Sequence, residues 1–199
     1  MEATVVQRMD TPTSQEFYFV TESDEEEVGK GAFVEYEQKG NVIARVDEVY
    51  KANEYFENAE NVSESADSIR ERFPVDDWEV SVAKASIMGK FVDGDIERVS
   101  TSPSPGQKVE EADPDRVEKF LGLEEGGLNI GEVQQQGIDA SLDMTDTLQK
   151  HFALLAQSGA GKSYTASVLL EELLDRENAP AILAVDPHGD YTCFAEDEN

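Results

Sequence analysis

His151-Phe-Ala-Leu-Leu-Ala-Gln-Ser-Gly-Ala-Gly-Lys-Ser163 is an apolar run that feeds a glycine-rich turn and a Gly161-Lys162-Ser163 triplet. Phe152 to Ala156 is continuously apolar, as expected of a parallel strand buried on both faces. Behind the turn, Ala166, Leu169, Leu170 and Leu173 recur at i, i+3, i+4 and i+7, while Glu171, Glu172, Asp175 and Arg176 lie mostly off that stripe. The spacing predicts a helix that starts where the glycines end.

Strand, glycine turn and helix in this order make a phosphate-binding loop. Glycine lets successive backbone N–H groups converge on phosphate oxygens, and the helix N-terminus adds positive potential. In that reading Gln157, Ser158, Gly159, Ala160, Gly161, Lys162, Ser163 and Tyr164 line an ATP site. Lys162 reaches the β- and γ-phosphates, and the Ser163 hydroxyl meets Mg²⁺. The pattern G-x-x-x-x-G-K-[ST] wants glycine at position 156, where this chain has Ala156. An ordinary glycine turn is the alternative.

Glu177-Asn-Ala-Pro180 reads as a helix stop, and Ala181-Ile-Leu-Ala-Val185 as a second buried-type strand ending on Asp186. The unit is then βαβ. Asp186-Pro-His-Gly-Asp-Tyr191 falls at the carboxyl end of that strand, where open α/β sheets bind ligands, so Asp186 and His188 are candidates for the phosphate side of the site. A turn made of Asp, Pro and Gly, with His188 merely solvated, explains the same residues.

Upstream, Phe17–Val20, Ala32–Tyr36 and Asn41–Val46 are short runs rich in aromatic and β-branched residues, separated by Gly29, Gly31 and Lys39-Gly40. Trp78–Ala85, Ser86–Val92 and Ile96–Val99 continue the pattern, with Phe91–Ile96 as a hairpin-like connection. Such strands predict a small barrel or sandwich. Asn53–Phe73, acidic and rich in Ala, Ser and Asn, reads as a helix or a solvated insertion. Thr101–Gly106 is a Pro/Ser/Gly boundary, followed by Asp113 as N-cap, Pro114 as first helical residue, a buried face of Val117, Phe120 and Leu121, and a stop at Gly122. Leu128–Val133 is a further possible strand.

Three stretches together, H-F-A-L-L-A-Q-S-G-A-G-K-S-Y from His151 to Tyr164, Val168–Leu173 and Asp186–Tyr191, resemble the HerA family of hexameric DNA-translocating ATPases, archaeal in its best-known members. The resemblance runs from about residue 15 to the end and is specific in the last 50 residues. It implies a HAS-type barrel ahead of a RecA-like motor, ATP with Mg²⁺, DNA as substrate, a nuclease partner and a homo-hexamer. The family usually has Glu where this chain has Asp190. The implied fold class is β plus α/β: a flexible N-terminus over 1–14, a HAS-like barrel over 15–100, a connector with a short helix over 101–140, and the first βαβ unit of an incomplete P-loop domain over 141–199.

The chain has 44 Asp and Glu against 16 Lys and Arg, a formal charge of −28. Such a surface repels a duplex at low salt, and no patch of Lys and Arg offsets it, so contact with DNA is carried by the resemblance alone. Acidic residues are spread throughout and Lys numbers only 9, which suggests a halophile and, with the resemblance, a haloarchaeal source. At molar salt the Debye length is about 3 Å and global repulsion is largely screened. The single Cys193 excludes an internal disulfide, and His151, His188 and Cys193 form no metal-ligand cluster. The absence of a signal or membrane-spanning run predicts a cytoplasmic protein without a membrane partner.

A complete RecA-like motor needs further parallel strands and a Walker B acidic pair beyond Asn199. The expectation is therefore an N-terminal fragment, inactive alone, of an ATP-dependent hexameric helicase or translocase in DNA end processing and recombinational repair. Two other classes stay open: another barrel-plus-P-loop ATPase, and a non-catalytic oligomerisation module with a vestigial nucleotide site.

Overall fold

The computed structural model describes residues 3–7, 12–21, 28–53 and 79–195. The chain divides into two compact units, residues 1–117 with 134–136, and residues 118–133 with 137–199.

The first unit is a closed antiparallel barrel. Its strands are β1 (Ala3–Val6), β2 (Glu16–Thr21), β3 (Phe33–Glu37), β4 (Asn41–Asn53), β5 (Glu79–Val92), β6 (Asp95–Glu97) and β7 (Lys108–Glu111). They pair in the order β2-β1-β7-β3-β4-β5-β6, and a further ladder between β2 and β5 closes six of them into a ring, with β6 extending β5 as a hairpin arm. The period-two pattern explains the wall: Phe17 and Phe19 on β2 point inward and are fully buried, while Tyr18 between them is half-exposed. Phe17 meets Tyr36 edge to face, with ring centroids 5.4 Å apart, and Val5, Val34, Val42 and Val109 fill the space around them. The Tyr36 hydroxyl has no hydrogen-bond partner among the described residues, and burial pushes its pKa up to about 12.

Strands β4 and β5 are long and pair from Asn41↔Phe91 to Asn53↔Glu79, with register shifts at Ile43/Ala44 and between Val46 and Glu48. The second shift leaves Asp47 as the extra residue, and Ser86 Oγ donates to its carboxylate across the ladder. Bulges of this kind raise the local twist, which lets one long hairpin curl around a narrow barrel.

Several sequence expectations are corrected here. Residues 3–6 are not part of a flexible N-terminus: β1 pairs Ala3↔Thr21 through Val6↔Tyr18 with β2, and Ala3 and Thr4 with β7. Four residues with two inward side chains suffice because both neighbours supply hydrogen bonds. The connector likewise contains a barrel strand, since β7 bridges β1 and β3 with Val109 fully buried. The runs Trp78–Ala85 and Ser86–Val92 form one strand from Glu79 through Val92, and the last hairpin strand is Asp95–Glu97 instead of Ile96–Val99. Trp78 and the segment 54–73 lie outside the described residues.

Helix α1 (Pro114–Leu121) follows β7. The Asp113 carboxylate accepts from the Arg116 backbone N–H at 3.2 Å, the expected N-cap. Val117 is fully buried, Phe120 half-buried and Leu121 exposed, so the buried face is narrower than its periodicity suggests. From the same turn the Arg116 guanidinium makes a fork with Glu35 of β3, Nε to Oε2 at 2.8 Å and Nη2 to Oε1 at 2.5 Å. Glu35 is the one buried charged residue among the described residues, and this fork raises the Arg116 pKa.

The second unit carries a hairpin of β8 (Leu123–Val133) and β9 (Ile138–Leu142), the short helix α2 (Met144–Leu148) and helix α3 (Lys162–Leu174). Leu128 of β8 packs with Leu169 and Leu173 of α3, joined by Leu142 and Met144. The barrel is thus followed by β-α units.

Replacing Arg116 with Ala strands the Glu35 carboxylate in the barrel wall. Equilibrium urea unfolding is expected to show a loss of about 3 kcal/mol, and the added change Glu35→Gln is expected to recover part of it.

Candidate nucleotide-binding site

The glycine turn forms as the sequence predicts. Gly159 and Gly161 have φ of 81° and 89°, and Gly161 is the N-cap of α3. A Cβ at either position would meet nothing within 4 Å, so the left-handed backbone, not crowding, calls for glycine there. The Ala160 N–H closes a turn onto the Gln157 carbonyl at 3.1 Å, and the Thr165 N–H donates to the Gly161 carbonyl at 2.9 Å as the first helical bond. The N–H groups of the first helical turn have no intrahelical acceptor. Ala156, Gln157, Ser158, Gly159, Gly161, Lys162, Ser163 and Tyr164 line an open groove of about 580 Å³. Ala160 sits at the tip of the same turn. The Lys162 side chain is exposed and enters no ion pair among the described residues.

What fixes this turn is the far end of its helix. Leu169 and Leu173 are buried against Leu128, Glu172 Oε2 accepts from the Asn129 N–H at 3.2 Å, and Arg176 Nη2 donates to the carbonyls of Gly126 and Gly127. The helix is therefore held by an apolar seam with a polar tie on either side. The expected stripe of Ala166, Leu169, Leu170 and Leu173 is present, with its first and third members half-buried.

The two apolar runs that flank this helix behave differently from the expectation of strands buried on both faces. Neither 152–156 nor 181–185 carries a strand assignment, and Leu155, Leu183 and Val185 are 92, 92 and 88 % exposed. Burial of a parallel strand needs a hydrogen-bonded neighbour and a covering layer, and the described residues supply neither.

The loop after residue 185 is organised by Asp186. Its carboxylate accepts from the backbone N–H groups of His188 at 3.2 Å, Gly189 at 2.9 Å and Tyr191 at 2.9 Å. These bonds, that from Tyr191 foremost, hold its pKa below the usual carboxylate range. The His188 side chain is exposed. The residue that bridges the two loops is one that sequence reasoning passed over as a simple replacement: Ser163 Oγ donates to Asp190 Oδ2 at 3.0 Å. Two Asp residues four apart in one loop look alike in sequence. The only signal that separates them is that Asp186 precedes a Pro-His-Gly turn, which suits a carboxylate that caps its own backbone.

A carboxyl whose folded pKa is depressed contributes stability above its unfolded pKa and loses it as pH falls through the folded value. The Asp186 turn is expected to persist from neutral pH down to about pH 4, the unfolded carboxyl range, and to open below it. Amide exchange at Gly189 and Tyr191, followed by NMR across that range, reads this directly, and Asp186→Ala should abolish the protection at all pH values.

Residues 128–199 match the family model described as "Helicase HerA, central domain". A "Probable helicase" of Methanocaldococcus jannaschii is 29 % identical over 169 residues, covering 82 % of this chain and 32 % of the relative. An uncharacterized protein of Aquifex aeolicus is 22 % identical over 210 residues, covering 90 % of this chain and 77 % of its own length. The "Probable DNA double-strand break repair helicase HerA" of Methanocaldococcus jannaschii is 33 % identical over 118 residues, covering 59 % of this chain and 23 % of the relative. The chain thus spans a third or less of the helicases it matches. With a barrel ahead of β-α units that match the start of the HerA central domain, the chain is similar to the HerA helicases over part of their length.

Proposed function

We propose that this chain is the barrel and the nucleotide-binding start of an ATP-dependent, hexameric DNA helicase or translocase that acts in DNA end processing and recombinational repair with a nuclease partner. The observation that carries the reading is the turn Gln157–Gly161, with two left-handed glycines delivering Lys162 and Ser163 to the first turn of a helix, inside the residues that match a HerA central domain. Homology to proteins described as DNA double-strand break repair helicases supports the action on DNA.

In this reading Gln157 to Tyr164 cradle the phosphates of ATP. The backbone N–H groups of the glycine turn and the first helical turn bind phosphate oxygens, and the free Lys162 ammonium neutralises the β- and γ-phosphates. The Ser163 hydroxyl would contact Mg²⁺ bound with the nucleotide. In this reading Asp186 and His188 are candidates for the phosphate side, and the three backbone bonds of Asp186 shape that loop. The barrel from β1 to β7 and the motor start from 141 belong to the same proposal. No helix among the described residues is long and apolar enough to cross a membrane.

The nucleotide reading is tested by titrating the chain with a fluorescent ATP analogue in Mg²⁺. Binding is expected, and Lys162→Ala should weaken it by about tenfold or more, since one charge-assisted contact is worth roughly 1.5–3 kcal/mol. Binding that is unchanged by Lys162→Ala would overturn the reading.

A halophilic origin rests on composition alone, on 44 acidic against 16 basic residues. If it holds, the urea midpoint should rise steadily as KCl is raised from about 0.1 M to about 2 M, because like-charge repulsion within the folded chain is screened. A flat or falling midpoint would speak against it.

A further inference from the structure

The two aspartates of the loop 186–191 have different partners, and the difference assigns different roles. The Asp186 carboxylate accepts from three N–H groups of its own loop. Asp190 instead directs Oδ2 at Ser163 Oγ, 3.0 Å away, and enters no ion pair among the described residues. Its other oxygen accepts no hydrogen bond among the described residues and the residue is exposed, so the carboxylate keeps acceptor capacity.

That separation has a chemical meaning at a nucleotide site. Two neighbouring oxygen ligands on an octahedral Mg²⁺, each about 2.0–2.1 Å from the metal, lie about 3 Å from one another. The Ser163–Asp190 spacing matches one edge of such an octahedron. A hydroxyl that donates its proton to a carboxylate keeps oxygen lone pairs free to face a cation. The residues present therefore fit a divalent ion bound with nucleotide phosphate.

We propose that Asp190 is the carboxylate that holds the nucleotide's divalent cation beside Ser163, either as a ligand or through one bound water, and that Asp186 is a shaping residue for the loop that presents it. This rests on the nucleotide-binding reading above. The Asp186 turn sets the backbone from which Asp190 projects, and the anchored helix α3 sets the position of Ser163, so the pair is held from both sides. A Glu at position 190 is one methylene longer and would serve the same end through a small shift of the loop.

The test compares nucleotide affinity with Mg²⁺ and with EDTA for the full chain, for Asp190→Asn and for Asp190→Glu, together with the electron paramagnetic resonance spectrum of Mn²⁺ with ADP. The unaltered chain should bind ADP more tightly with Mg²⁺ than with EDTA. In Asp190→Asn the EDTA affinity should stay within about twofold while the gain from Mg²⁺ shrinks by about tenfold to a hundredfold, and the protein-bound Mn²⁺ signal should be lost. Asp190→Glu should keep both. An Asp190→Asn chain that retains the full Mg²⁺ gain overturns the proposal, as does one that loses affinity equally in Mg²⁺ and EDTA, since that makes Asp190 a loop-shape residue. Absence of ADP binding by the unaltered chain in both conditions overturns the nucleotide reading itself, and so is distinct from the failure of Asp190 alone.

Discussion

Everything in the first unit depends on the two ladders that close the ring, β1 with β7 and β2 with β5. In each, the strands come from distant parts of the chain, so the wall has no long open edge and the inward side chains are enclosed from every direction. Once the ring is shut, β3 is buried on both faces and Glu35 within it loses water. A carboxylate there is tolerable only with a matched donor set, and Arg116 supplies a planar fork from the first turn of α1. The Asp113 cap that starts this helix and the ion pair that neutralises the barrel wall are thus parts of one local solution.

The second unit solves a different problem: how to hold a flexible glycine turn in a defined place. The turn itself is fixed by few bonds. Its helix is fixed by many, through the Leu128–Leu169–Leu173 seam and the ties from Glu172 and Arg176 to the β8 backbone. Conformational freedom is kept where phosphate oxygens would select a geometry, and it is removed one helix length away. Asp186 does for the second loop what the helix does for the glycine turn, committing its carboxylate to the backbone while the next acidic side chain, Asp190, meets Ser163.

What could be read from the sequence follows from how local each feature is. The glycine turn, the helix stripe and the Asp113-Pro114 cap are set by residues a few positions apart, and all three form where the pattern puts them. Aromatic and β-branched density likewise marks β2, β3 and the first half of β4. Strands β1 and β7 escaped because Ala-Thr-Val-Val and Lys-Val-Glu-Glu carry one or two inward side chains each and owe their order to partners elsewhere in the chain. A break between Ala85 and Ser86 has no structural counterpart, because the pairing runs straight through it, Arg45↔Ser86 and then Val46↔Ala85. At the site, the division of labour between Asp186 and Asp190 depends on which backbone N–H groups point inward, and spacing alone does not encode that.

The uncovered side chains of Leu155, Leu183 and Val185 stand on a chain with a net charge of −28, and the two facts bear on each other. Bare apolar runs invite copies of a chain to pair edge to edge. Here the force that keeps copies apart is long-range mutual repulsion, which ions remove within a few ångströms. Salt therefore acts in two opposed directions: it relieves crowding of like charges inside one molecule and lowers the barrier to association between molecules. On these electrostatic grounds, higher ionic strength favours the fold of one molecule and the association of several at once.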